Sequence, residues 1–367
     1  MSVDIGGPTH SVYPDIAPVP TGVIRPFWSV MMPVYNCAHY LRQTLASVLP
    51  QFALDETVQI EVIDDCSTRD DPAQVVATCG DARVTYYRQL ENVGPQANFT
   101  TCIQRARGHW VHILHGDDLV MPGFYRALRG AAECAPRIGA AFCRTINIDG
   151  DGVWIDLSEP EGKVAGVVSD LAARLAVYNL IMFPSIAVKR STYEALGGFH
   201  PALFHSADWD MWKRVALRVP VWYEPAALAM YRQHAQSDTS NLMRSGANIA
   251  DARHAIEIAR EYLPASVRNH LTRRARLYHG KYALEIAGQM IERGSWTTAV
   301  AQVREALRCT QSVSILYGAI QVACRAAWRL VRHGSHPPKP GVTSVVAGPT
   351  SPAEEWARDD AALTQHP

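Results

Sequence analysis

The chain has 367 residues, 48% of them hydrophobic, and its 35 Lys and Arg balance its 35 Asp and Glu. That length exceeds one compact domain, so a core with an extension is expected. The zero net charge excludes a bulk field for gathering nucleic acid, and any anionic ligand must be held by local groups. Eight cysteines form no CxxC pair and no Cys/His grouping with zinc spacing, which reads as reduced, mostly buried thiols.

Residues 1–26, rich in Pro and Gly, lack the basic and apolar regions of an export signal and are expected to form a flexible arm of a cytoplasmic protein. The core should open at Phe27, where WSVMMPVY is an apolar run of strand length, buried on both faces. Asn36 offers a helix cap, and Leu41, Leu45 and Val48 then share one helical face. The pattern continues with strand VQIEVI, helix PAQVVATC, strand RVTYYRQ, helix QANFTTCIQRAR and strand GHWVHIL. This alternation predicts an α/β fold with a Rossmann-like, mostly parallel sheet flanked by helices.

In such sheets ligands lie beyond the carboxyl ends of the strands. Asn36, Asp64, Asp65, Asn92, Asp117 and Asp118 all fall there, so four successive strands deliver acids or amides to one rim. Each alone is an ordinary turn residue; their recurrence at one structural position points to a binding site. PGFYRALRGAAECAP should then be a helix opened by proline, and IGAAFCRTINIDGDGVW a strand entering a hairpin through a D-G turn. SDLAARLAVYN reads as a helix, and FPSIAVKRSTYEALGGFHP as a strand, a short helix and a Gly-Gly turn. In HSADWDMWKRVALRV, Ser206 is the expected cap and Asp208 falls in the first turn, sharing a face with Trp212 and Val215 that would suit a sugar. Glu224 and Pro225 are expected to turn the chain before a last strand, AMYRQH.

From about Ser245 the pattern is helical throughout, with a middle pair that hints at a tetratricopeptide-like hairpin. The last helix, 313–333, is apolar at first and then carries Arg325, Arg329 and Arg332, too early an interruption for a bilayer span. Peripheral contact with an anionic membrane face, core packing and a homodimer contact are its three readings. Residues 336–367 are Pro-rich and expected to be disordered.

SVMMPVYNCAHYLRQTLASVLPQ, EVIDDCST and ENVGPQANFTTCIQRARGHWVHILHGDD resemble the successive blocks of glycosyltransferase family 2, over about residues 28–240. The resemblance implies a GT-A fold and inverting transfer of a sugar from a nucleoside diphosphate sugar, expected to be UDP-linked, to a saccharide or lipid-linked saccharide acceptor. It implies Asp117 as metal ligand of a DxD element, for Mn²⁺ or Mg²⁺, with Asp118 supporting it or the ribose. Here the first acid of that element is His115, giving HGDD, and a satisfied pocket histidine is its plain reading. Asp64 and Asp65 would recognise base and ribose, Pro33 and Tyr35 would line the base, and Asn98 would complete the donor site. Asp208 resembles the catalytic base of the ED block, although the preceding glutamate is Ala207; Asp210 is the fallback. Arg232 and His234 match a late R-x-H element, Arg232 as a diphosphate clamp and His234 as a second metal or phosphate contact.

The implied organisation is an arm at 1–26, a catalytic domain at 27–240 with a nucleotide-sugar half to 148 and an acceptor half after it, a helical extension at 241–335 and a tail at 336–367. A sugar-nucleotide nucleotidyltransferase would share the sheet and the metal acids, but it should carry a Gly-rich phosphate loop where PVYN stands. An inactive nucleotide-sugar-binding module is the other alternative, suggested by His115 and Ala207.

Overall fold

The first strand, β1 (Trp28–Val34), is buried along its whole length, as its unbroken apolar run requires. The computed structural model describes residues 12–234 and 238–333. Residues 1–11 of the arm and the expected tail lie outside the described residues.

After β1 come α1 (Ala38–Val48), β2 (Gln59–Asp64), α2 (Pro72–Cys79), β3 (Val84–Arg88), α3 (Pro95–Arg105) and β4 (Trp110–Ile113), each where apolar spacing places it. β3, β2, β1 and β4 lie side by side in that order and all parallel. Trp28, Val30, Met32 and Val34, alternate residues of β1, join Leu41, Leu45 and Val48 of α1 in one core cluster. All first-half strands therefore run their carboxyl ends to one edge, where the acids fall.

Beyond β4 the sheet becomes mixed. A short β5 (Leu119–Val120) leads to α4 (Phe124–Cys134), β6 (Ala140–Ile148) and β7 (Trp154–Leu157), and β6 with β7 makes the expected antiparallel hairpin. Then follow β8 (Gly166–Val167), α5 (Leu171–Leu175), β9 (Ile186–Lys189), α6 (Arg190–Leu196), α7 (Ala207–Arg218) and β10 (Val221–Arg232). β9 inserts antiparallel between β4 and β6, giving the order β3-β2-β1-β4-β9-β6-β10-β5. The α/β class with a mostly parallel sheet in its nucleotide half is as expected.

Three local readings need correction. Asn36 does not cap α1: Cys37 is the capping position, and the Asp70 carboxylate accepts from Ala38 N–H at 2.8 Å. Glu224 and Pro225 do not turn the chain. β10 continues through them with register shifts between Glu224 and Ala229, a bulge in keeping with a proline that has no ladder N–H to give. The arm is docked rather than flexible from residue 12 onward. Ile16 is buried, Pro14 O accepts from Gly198 N–H at 2.7 Å, and Arg190 donates to Ala17 O at 2.9 Å.

The described residues form two compact units, one within 12–233 with 258–264 and the other within 234–257 with 265–333. The second unit is helical: α8 (Asp238–Ser245), which the sequence did not announce, α9 (Ala247–Tyr262), whose last turn belongs to the first unit, α10 (Ala265–Glu292), α11 (Trp296–Cys309) and α12 (Val313–His333). Its core joins Ala283, Leu284 and Ala287 of α10 to Ala299 and Ala306 of α11 and Ile315 and Val322 of α12. Among the described residues no helix is long and apolar enough to cross a membrane.

Candidate active site

The loops after β1 and β2 are sewn together at the strand ends. Asn36 and Cys66 both hold positive φ, 54° and 62°, which is rare outside glycine. What over-determines Asn36 is its amide oxygen, which accepts from Thr68 and Arg69 N–H at 2.9 Å each, while its own N–H donates to Ser67 Oγ at 2.9 Å. Strain of this kind is kept where the surroundings fix it and commonly marks a functional rim.

Asp64 is fully buried and committed to its own chain. Oδ1 accepts from Ser67 N–H and Oγ at 2.9 and 2.6 Å, and Oδ2 from Tyr86 OH and Arg88, both at 2.7 Å. Asp65 accepts from Val93 and Gly94 N–H at 2.8 and 3.0 Å; burial pushes its pKa up against those two bonds. Asn98 is buried too, donating to Ile63 O at 3.1 Å and accepting from Gln89. These three sit together at the carboxyl edge of β2 and its neighbours, and Asp64 and Asn98 are held there by bonds within the chain. Pro33 lies buried inside β1, its carbonyl accepting from Gly116 N–H at 3.1 Å, whereas Tyr35 is 47% exposed at the rim and open to a base.

The turn after β4 carries the titratable cluster. His115, Asp117 and Asp118 can bring one ligand atom each within 4.8 Å of one another. Gly116 makes that turn fit: a Cβ there would meet Val34 Cγ1 at 2.5 Å and Cys37 Sγ at 3.0 Å, so the turn rests directly on the end of β1. Thr44 of α1 ties it down, its hydroxyl lying 3.0 and 2.9 Å from the carbonyls of Gly116 and Asp118. Asp118 is 1% exposed; Oδ1 accepts from Arg232 N–H at 2.9 Å, and Oδ2 is buried with no hydrogen-bond partner. Burial and the neighbouring Asp117 both push its pKa far above the usual carboxylate range. A buried carboxylate oxygen without a donor is costly, and a bound divalent cation would satisfy it. The residues present therefore fit an oxygen-preferring dication.

Arg232, expected as a phosphate clamp, is engaged within the chain. Its side chain is buried and gives four of its five N–H donors to the Asp117 carbonyl at 2.7 Å, the Asp149 and Gly150 carbonyls at 3.3 and 3.0 Å, and Gln43 Oε1 at 2.8 Å. It locks the HGDD turn to the β6–β7 hairpin and to α1. His234, the other half of the R-x-H element, is the first residue of the second unit.

The two candidate bases on α7 separate by environment. Asp210 is completely buried, paired with Arg214 Nε at 2.9 Å, and accepts from Tyr262 OH at 2.8 Å and Tyr13 OH at 3.5 Å. Arg214 in turn holds the Leu196 and Gly198 carbonyls. Asp210 is thus a fastener for α7, and Asp210→Asn is expected to lower unfolding stability by about 3–5 kcal/mol in a denaturant titration, because Arg214 would lose its buried partner. Asp208 is only half-buried; its Oδ2 accepts from Asn179 Nδ2 at 3.0 Å and its Oδ1 from Trp209 N–H at 2.6 Å. Trp212, expected as a sugar platform beside it, is 2% exposed and belongs to the core.

One segment links the base region to the acid cluster. Asn179 holds Asp208, and four residues on, Phe183 packs on His115 with ring centroids 4.3 Å apart and on Trp212 at 5.6 Å. Phe99 also stacks on His115, with ring centroids 5.0 Å apart and 13° from coplanar. Burial among these rings holds the His115 imidazole toward its neutral form, with Asp117 opposing.

A sequence profile described as Glycosyl transferase family 2 matches residues 29–189. Over those residues the chain is similar to glycosyl transferase family 2. The match spans the parallel half, the HGDD turn and β9, and bears out the resemblance carried by the motif blocks. A Mycobacterium tuberculosis protein, MT1568, is 28% identical over 262 residues, which is 67% of this chain and 80% of the relative. Among solved structures, S. aureus TarS 1-349 in complex with UDP-GlcNAc aligns with a TM-score of 0.58 at 17% identity, covering 86% of this chain and 94% of that one. The mannosyltransferase PcManGT from Pyrobaculum calidifontis, in complex with GDP-Man and Mn²⁺, aligns at 0.50 with 19% identity, covering 95% and 88%. These structural likenesses speak for the GT-A fold.

Proposed function

We propose that this chain is a metal-dependent, inverting glycosyltransferase of family 2 that moves a sugar from a nucleoside diphosphate sugar to a saccharide or lipid-linked saccharide in polysaccharide or glycoconjugate assembly. The observation that carries it is the partnerless, buried Asp118 oxygen beside Asp117, at the carboxyl edge of a parallel sheet. Asp117 and Asp118 would hold a divalent cation, with Asp117 the direct ligand. When bound, that ion supplies positive charge against the diphosphate as it departs. Arg232 fixes the turn from behind, so the two acids need no reorganisation when a donor arrives.

Asp208 is the proposed base, taking the proton from the acceptor hydroxyl as it attacks the anomeric carbon on the face away from the diphosphate. Asn179 orients one of its oxygens, and its half-exposed position leaves room for an acceptor. Tyr35 would stack on the base of the donor, with Asp65 and Pro33 behind it, and His234 would approach the phosphates from the chain that follows β10. That relatives of similar fold have been solved with UDP-GlcNAc and with GDP-Man and Mn²⁺ supports a nucleotide-sugar donor and a cation. A uridine donor is the reading we adopt. A thermal-shift screen tests it: UDP-sugars with Mn²⁺ should raise the melting temperature and GDP-sugars should not, since a ligand at about 100 times its Kd adds about 2.7 kcal/mol. Stabilisation by GDP-sugars instead would overturn the uridine assignment.

A peripheral membrane contact through α12 is the second part of the proposal. Val313, Tyr317, Ile320, Trp328 and Val331 are 57–87% exposed on this helix, while Ile315 and Val322 face inward. The helix has no acidic residue and three arginines among 313–333. Each basic residue near an anionic leaflet contributes about 1 kcal/mol, so anionic vesicles should be preferred over neutral ones by about 10²-fold in a flotation assay. Replacing Ile320 and Trp328 with serine should abolish flotation. Equal binding to neutral vesicles would contradict the charge reading, and a mass that doubles with concentration, without flotation, would assign the face to a second copy.

A further inference from the structure

We propose that His115 is a nitrogen ligand of the cation held by Asp117 and Asp118, and that this side chain directs the site to Mn²⁺ over Mg²⁺. The inference rests on the metal-dependent reading above and extends it to the one position where the HGDD turn departs from an acid. His115 Nδ1 lies 3.8 Å from Asp118 Oδ2, too far for a hydrogen bond between them. Two ligand atoms each about 2.1 Å from one ion sit roughly 3.0 Å apart when adjacent and roughly 4.2 Å apart when opposite, so the observed gap is of the size a shared ion fills.

Two further observations point the same way. Asp118 Oδ2, on a residue only 1% exposed, has no partner, and His115 Nε2 is also buried without one. A histidine there for packing alone would leave the Asp118 oxygen that its Nδ1 faces unsatisfied. The imidazole is also fixed in orientation: Phe99 lies 13° from coplanar on it and Phe183 packs at 4.3 Å. Rings that clamp a ligand in one rotamer reduce what binding must order.

The chemistry of the donor set then gives the selectivity. Mg²⁺ is a hard ion that takes oxygens in near-ideal octahedral geometry and gives up water reluctantly. Exchanging a carboxylate oxygen for an imidazole nitrogen favours first-row transition ions over it. Among those, Mn²⁺ is the one equally suited to the carboxylates and phosphate oxygens that complete the shell.

The test uses the full chain with Mn²⁺ and UDP and reads binding rather than turnover. Pulsed electron spin echo spectroscopy of bound Mn²⁺ should show ¹⁴N modulation in the wild type and none in His115→Asp. By metal titration, His115→Asp should bring the Mn²⁺-over-Mg²⁺ preference down at least about tenfold, the size of effect that even an outer partner of a ligand produces. His115→Asn serves as a second variant should the added carboxylate prevent folding, and it should also lose the nitrogen signal. Mn²⁺ bound without ¹⁴N modulation, or modulation that persists in both variants, would overturn the role of His115 and leave the metal-dependent reading standing. Failure of the wild type to bind Mn²⁺ at all would overturn both.

Discussion

Asp208→Asn is expected to lower transfer to an acceptor by about 10²–10⁴-fold while donor affinity stays unchanged, because only proton removal is lost. The asparagine keeps the size of the side chain and one carbonyl oxygen for the Trp209 N–H, so α7 keeps its first turn. The change should fall on kcat, with the nucleotide-sugar Kd untouched, as for a group that acts in the transition state. Asp210 gives the contrast within one helical turn: it is buried, paired with Arg214 and bonded to two tyrosines, so its variant should suffer in stability. Transfer by Asp208→Asn at near wild-type rate would remove it as the base.

Asp117→Ala is expected to act earlier. A metal's stabilisation of developing charge is worth several kcal/mol, and each about 1.4 kcal/mol is tenfold, so both transfer and slow donor hydrolysis should fall about 10³-fold. The stabilisation of the folded chain by Mn²⁺ with UDP should vanish with them. Asp117 is only half-buried, so a small residue there leaves no buried cavity, and unfolding without ligands should be little changed. A variant that hydrolyses donor normally in Mn²⁺ would dissociate the HGDD turn from the metal.

The nucleotide half was legible because its signals are local. WSVMMPVY gave β1 to within a residue at its C-terminal end, and PAQVVATC is α2 itself, since burial on both faces leaves an unbroken apolar run and one-sided burial leaves a 3.6-residue period. The mixed half was less so. Nothing in the local pattern of IAVK says that β9 will pair antiparallel between β4 and β6, and Pro225, a reliable turn residue elsewhere, here sits in a bulge of a long strand. The docked stretch from residue 12 is held through the carbonyls of Pro14 and Ala17, and composition is silent on backbone acceptors.

At the site, sequence identified residue types and their shared edge, but not which lone pairs and protons are already used. Asp64 and Asp65 look alike in EVIDDCST, yet Asp64 accepts four bonds from Ser67, Tyr86 and Arg88 while Asp65 holds the loop at Val93 and Gly94. Arg232, expected at the diphosphate, gives its guanidinium to carbonyls and Gln43, partners more than 80 residues away in the chain that no local pattern reveals. His115 moves the other way. Its departure from an acid looked incidental, and what gives it significance is a buried oxygen on Asp118 that nothing among the described residues satisfies.

Identification of the phosphorus product is the most direct test of the central claim. The full chain incubated with a UDP-sugar and Mn²⁺ should release UDP in the ³¹P spectrum, faster with a saccharide acceptor than with water, and Asp117→Ala should release it about 10³-fold more slowly. UTP formed from UDP-sugar and added pyrophosphate, or donor that binds and is never cleaved, would contradict a metal-dependent glycosyltransferase.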